Sequence, residues 1–71
     1  MRQVLREARI QSGMTANALS VKLQTNLTYI SRVERGYRSI DIVEFTDIAN
    51  ALGVDPRILY AAFLERVNSG R

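Results

Sequence analysis

The sequence predicts an all-α fold on three observations: apolar residues recur at helical spacing in five short segments, most of those segments are bounded by caps or glycines, and no segment reads as a strand. A chain of 71 residues makes one domain, expected over residues 1–67, with residues 68–71 as a flexible tail that has nothing to bury. At this size only about 60% of the unfolded surface is buried, so a second subunit that covers more of it is expected to help.

The first helix is expected from about Arg2 to Ser12, with Val4, Leu5, Ala8 and Ile10 as a narrow inward stripe and Gly13 just past its end. Thr15 suits the N-cap of a second helix of only about two turns, whose apolar face is Ala18, Leu19 and Leu23. Thr25 and Asn26 interrupt that pattern. Asn26 then caps a third helix that turns Ile30 and Val33 inward and stops at Gly36.

The fourth helix has the clearest punctuation. Asp41 is its N-cap and Glu44 the capping-box partner; Ile42, Phe45, Ile48, Ala49 and Leu52 are its apolar residues, and Gly53 stops it. Asp55 followed by Pro56 then reads as N-cap and first position of a fifth helix, because the fixed φ of proline suits a helix start and its missing N–H is not needed there. That helix is expected to reach about Val67.

Composition narrows the chemistry. The absence of Cys removes disulfides and thiolate metal sites, and the absence of His removes the commonest catalytic base and metal ligand. Neither a nucleophile–base arrangement nor a phosphate loop of the GxxxxGK type is present, so no enzyme, metal, cofactor or small-molecule ligand is expected. No stretch approaches the roughly 18 apolar residues of a membrane span, and the opening MRQVLREARIQSG lacks the apolar run of a secretory signal; a cytoplasmic location with no membrane partner is expected. The net charge is +3, but residues 1–40 hold seven Lys/Arg against two acids, and residues 41–71 three against five. The basic half is therefore the candidate polyanion face, although a solvated surface with accidental bias accounts for the charge equally well.

Helix two, the turn and helix three form the informative unit. Two helices joined at a steep angle by about three or four residues leave the outer face of the second open to a major groove. Ser20 is small where the two helices cross, and Leu19, Leu23, Ile30 and Val33 can pack between them.

The segment TANALSVKLQTNLTYISRVERG, residues 15–36, resembles the Cro and phage-repressor (XRE) family, most specifically in Leu19, Leu23, Tyr29, Ile30, Ser31, Arg32, Glu34, Arg35 and Gly36. The similarity extends through LREARIQSGMT and through ALGVDP at residues 51–56. It implies a five-helix lambda-repressor-like bundle, double-stranded DNA as partner, and a bacterial or phage-encoded repressor or restriction-modification controller acting at the nucleoid as a homodimer.

Carried over by position, the resemblance places base reading on Leu27, Thr28 and Arg32. Arg32 can bond guanine O6 and N7 in parallel, Thr28 a base edge, and Leu27 a thymine methyl. The alternatives are a solvated, Glu34-bound or phosphate-bound Arg32, and a Leu27 that packs or meets a partner. Phosphate contacts fall to Thr15, Asn17, Asn26, Tyr29, Arg35 and Arg38, each of which is otherwise a cap or a surface group. Arg9 and Glu34 resemble a family ion pair that fixes helix three to helix one.

Three residues depart from the family. Ala16 stands where a phosphate-binding Gln is usual, Gln24 where the turn prefers glycine, and Leu27 where the first reading position is usually polar. In PRILYAAFLERV, moreover, every position from 58 to 64 is apolar, more than one buried stripe requires. Leu59 and Phe63 are assigned to the core, and Ile58, Tyr60, Leu64 and Val67 to a two-fold interface. These same features support a second reading, a protein-interaction module of this fold that pairs with a toxin or another regulator and binds DNA weakly or not at all.

Overall fold

The computed structural model describes residues 2–69. It contains five helices, α1 (Arg2–Gln11), α2 (Ala16–Lys22), α3 (Leu27–Arg35), α4 (Ile42–Ala51) and α5 (Pro56–Ser69), and no strand among the described residues. The last helix continues two residues past its expected end at Val67, while positions 70 and 71 of the expected tail lie outside the described residues. No helix is long and apolar enough to cross a membrane among those residues.

Local chemistry accounts for the boundaries. Thr15 accepts from the Ala18 amide at 3.0 Å and Asn26 from the Tyr29 amide at 2.9 Å, each satisfying a backbone donor that the first helical turn leaves free. Asp41 and Glu44 close a reciprocal capping box, and Asp55 Oδ1 accepts from the Arg57 amide at 2.9 Å behind Pro56. The first four helices all end the same way. A residue in the left-handed region, at 13, 24, 36 or 53, lets two successive amides return to carbonyls of the last turn.

At position 24 that residue is Gln, with φ of 57°. The departure from glycine has not changed the turn: Gln24 N bonds Val21 O at 3.1 Å and Thr25 N bonds Ser20 O at 2.9 Å. The motif is retained with a side chain in a region where Cβ crowds the backbone.

The core draws on every helix: Val4, Leu5 and Ala8 from α1, Leu19 from α2, Ile30 and Val33 from α3, Phe45, Ile48, Ala49 and Ala51 from α4 with its C-cap Leu52, and Leu59 from α5. Phe45 is fully buried and Ile30 nearly so. Leu23 and Phe63 are half-buried against this cluster, as are Met14, Ile40 and Val54 from the connections. Three expectations need correction. Ala18 is exposed, because it projects away from the side of α2 that buries Leu19 and Ser20. Ile10 and Ile42 are exposed, because Ile10 falls in the last turn of α1 and Ile42 is the first residue of α4, where neither has a neighbouring helix to cover it.

Ser20 is buried, and its hydroxyl donates to the Asn17 carbonyl at 2.7 Å, so no polar group is stranded between α2 and α3. Two substitutions test this part of the fold. Ser20→Leu has no space to occupy and should destabilise by about 1–3 kcal/mol, read from the urea midpoint. Gln24→Gly should raise stability by about 1 kcal/mol and the melting temperature by roughly 4–8 °C, since the left-handed conformation is already in place.

Candidate nucleic-acid interface

A helix of nine residues such as α3 does not hold its shape or its direction alone. Ile30 and Val33 seat its inner side in the core. At 100° per residue, Leu27, Thr28, Ser31, Arg32 and Arg35 then share the opposite arc, with Tyr29 on one flank and Glu34 on the other. Of the five on the outer arc, Ser31 is half-buried and the other four are exposed, Leu27 with 49% of its surface.

Each flank is tied to a different helix. Arg9 of α1 reaches Glu34 with two parallel bonds, Nε to Oε2 at 2.7 Å and Nη2 to Oε1 at 3.0 Å, and its Nη1 donates to the Met14 carbonyl at 3.0 Å. Only 14% and 12% of the two side chains is exposed, so this is an interior pair rather than a solvated one. The hydrogen bond to Glu34 pushes the Arg9 guanidinium further above its already high value, although burial opposes the shift.

On the other flank the Tyr29 hydroxyl donates to Glu44 Oε2 of α4 at 2.6 Å, and Arg38 Nη2 donates to the same oxygen at 2.9 Å. The Arg38 guanidinium lies 5.1 Å from the centre of the Tyr29 ring, within cation–π range. Burial, followed by the bond to Glu44, raises the Tyr29 phenol to about 12. Glu44 moves the opposite way: the bonds from Tyr29, then Arg38, then the Asp41 amide, hold its carboxyl below the usual range.

Arg2 secures the end of the helix by donating to the Arg35 carbonyl at 2.9 Å, a cation at a helix C-terminus. Gly36 makes this approach feasible. Its φ is +80°, and a Cβ there would lie 2.0 Å from Arg2 Nη1.

The sequence-derived residues therefore fall into distinct settings. Leu27, Thr28 and Arg32 stand on the free arc of α3, beside Ser31 and Arg35. Thr15, Asn17 and Asn26 are exposed around the starts of α2 and α3; the Thr15 and Asn26 oxygens are used in capping, which leaves the hydroxyl proton and the amide N–H groups as donors. Tyr29 and Arg38, expected to face phosphate, both bond Glu44. Of the α5 residues, Ile58 is 67% exposed, Leu64 41% and Tyr60 38%, while Val67 is half-buried. Tyr60 also packs edge-to-face on Phe45, with ring centres 6.1 Å apart. Tyr60, Leu64 and Val67 share a stripe, but Ile58 lies roughly opposite it on the helix, so the four do not make one surface.

Three residues were missed by the sequence reading. Ser31 lies between Leu27 and Arg35 in the surface depressions on both sides of the arc, and helical projection alone would have found it. Arg6 enters one depression from α1, and the 79% exposed Tyr37 enters the other; only tertiary packing brings these to the face.

Two short helices, α2 and α3, joined by a tight turn, with the outer arc of the second left open, are the arrangement of the helix-turn-helix class of DNA-binding proteins. A profile of the helix-turn-helix family matches residues 5–59. Control protein C.BamHI of Bacillus amyloliquefaciens is 36% identical over 58 residues, which cover 80% of this chain and 72% of that protein. The restriction-modification controller protein C.AhdI of Aeromonas hydrophila, at 34% identity, superposes with a TM-score of 0.74 over 82% of this chain and 84% of its own. An XRE-family like protein of Pseudomonas syringae pv. tomato, at 29% identity, superposes with a TM-score of 0.85 over 92% of this chain and 79% of its own. The chain belongs to the XRE-type helix-turn-helix family and is a DNA-binding transcriptional regulator.

The interior ion pair makes a direct prediction. Glu34→Gln leaves a guanidinium without its counter-charge and should cost about 2–4 kcal/mol in urea unfolding, a large share of the roughly 4–10 kcal/mol available to a domain of this length. Arg9→Lys should also lose stability, because an ammonium does not reproduce the two parallel bonds.

Proposed function

We propose that the protein is a sequence-specific repressor or autoregulatory controller that binds a near-palindromic operator as a homodimer. The outer arc of α3 carries this reading: its side chains are free of internal structural duty, whereas both flanks are committed to the body. Arg32 and Thr28 supply the hydrogen-bonding base contacts and Leu27 an apolar one. Thr15, Asn17, Asn26, Arg35 and Arg38 supply phosphate contacts that set register, with Tyr29 stacked against Arg38. The kinship with a restriction-modification controller and a control protein favours the controller role.

For the dimer we assign Tyr60, Leu64 and Val67 of α5, whose stripe is continuous; Ile58, on the opposite side of the helix, is left out of it. Tyrosine suits such a position because its ring is buried while its hydroxyl stays in water. A two-fold axis there would present the two α3 helices to successive major-groove faces about 34 Å apart. The half-exposed Leu27 and the alanine at 16 favour the second reading, a domain of this fold that docks on a protein partner.

Selection from a random duplex pool, with stoichiometry measured in the same buffer, separates the two. The operator reading expects a near-palindrome bound by two chains, with affinity falling on added salt by a log–log slope of about −0.9 per neutralised phosphate. No enrichment at low salt would favour the protein-partner reading. Arg32→Ala should relax preference at one base position in each half-site by about 1–3 kcal/mol, whereas Arg35→Ala should weaken all sequences alike.

A further inference from the structure

Glu44 occupies an unexpected place beside a surface that binds a polyanion. A single carboxylate oxygen, Oε2, accepts from the Tyr29 hydroxyl at 2.6 Å and from Arg38 Nη2 at 2.9 Å. A tyrosine hydroxyl and a guanidinium converging on one anionic oxygen are also what a backbone phosphate receives from a protein. The second oxygen, Oε1, lies 3.3 Å from the Asp41 amide at the start of α4, so the positive end of that helix is answered by the same side chain.

We propose that Glu44 is an internal phosphate surrogate that limits the affinity of the protein for DNA by competing for Arg38. The geometry is suited to exchange rather than to permanent burial. Arg38 is 47% and Glu44 27% exposed, against 14% and 12% for the interior Arg9–Glu34 pair, so a phosphate can reach the guanidinium without opening the fold. When a phosphate takes Arg38, the carboxylate loses a partner and remains beside the incoming charge. Both effects oppose binding, and both act on every DNA sequence equally, because phosphate contacts carry no base information.

This inference rests on the DNA-binding reading and on Arg38 as a phosphate contact, and Glu44→Gln tests it. Glutamine keeps the length of the side chain and is itself a capping-box residue, so α4 can stay capped while the charge is removed. Binding to a fixed random-sequence duplex is measured from 50 to 200 mM salt for wild type, Glu44→Gln, Arg38→Met and the double variant, with melting curves on each. Glu44→Gln should bind about two- to fivefold more tightly at the lowest salt, and its log–log slope should steepen by up to about 0.9. In the Arg38→Met background most of the gain should be lost, leaving only the small part that comes from removing a like charge near the DNA.

Weaker or unchanged binding by a folded Glu44→Gln protein would overturn the proposal, as would a gain of the same size without Arg38. A merely structural role lowers the melting temperature and weakens binding whether or not Arg38 is present. Failure of the wild type to bind any duplex would instead remove the DNA-binding premise, which the wild-type titration reveals on its own.

Discussion

The orientation of α3 is the constraint on which the rest of the molecule depends. Nine residues are too few to hold a helix, and a helix that presents side chains to a groove must not rock. The core holds its inner side through Ile30 and Val33, Arg9 holds one flank through Glu34, Glu44 holds the other through Tyr29, and Arg2 holds its end. These ties come from α1, α4 and the beginning of the chain. The small bundle thus serves chiefly as a frame for one exposed arc.

The two flanking ties differ in kind. The Arg9–Glu34 pair is largely withdrawn from water, with bonds that match guanidinium to carboxylate plane to plane, and its loss strands a charge. The Tyr29–Glu44–Arg38 cluster lies nearer the surface, where water and salt weaken each contact. One flank is therefore withdrawn from water, while the other keeps a partly exposed cation.

Much of this was legible in the residues. Caps at Thr15, Asn26 and Asp41, the Asp55–Pro56 start, and Gly13, Gly36 and Gly53 gave all five helices to within two residues, because each signal is local: a side chain bonds its own backbone, or a glycine accepts positive φ. The inward and outward arcs of α3 followed from helical periodicity. Ile10 and Ile42 were misplaced because periodicity gives the side of a helix that is apolar, not whether another helix lies against that turn. In α5 the obstacle was different: an unbroken apolar run drew attention away from the helical projection, which sets Ile58 apart from Tyr60, Leu64 and Val67.

By itself, then, the sequence determined the element order, the helix ends and the residues on the free arc of α3, since all of these depend on interactions within a few positions along the chain. Only the tertiary structure decided that Gln24 keeps the left-handed turn, that Arg2 lies over Gly36, and that Tyr29 and Arg38 meet at Glu44. The Gln24 turn is local, but a non-glycine residue does not announce positive φ; for the other contacts the reason is distance along the chain. Arg2 and Arg35 are 33 residues apart and Tyr29 and Glu44 are 15 apart, so what joins them is set by helix packing and has no local pattern to reveal it.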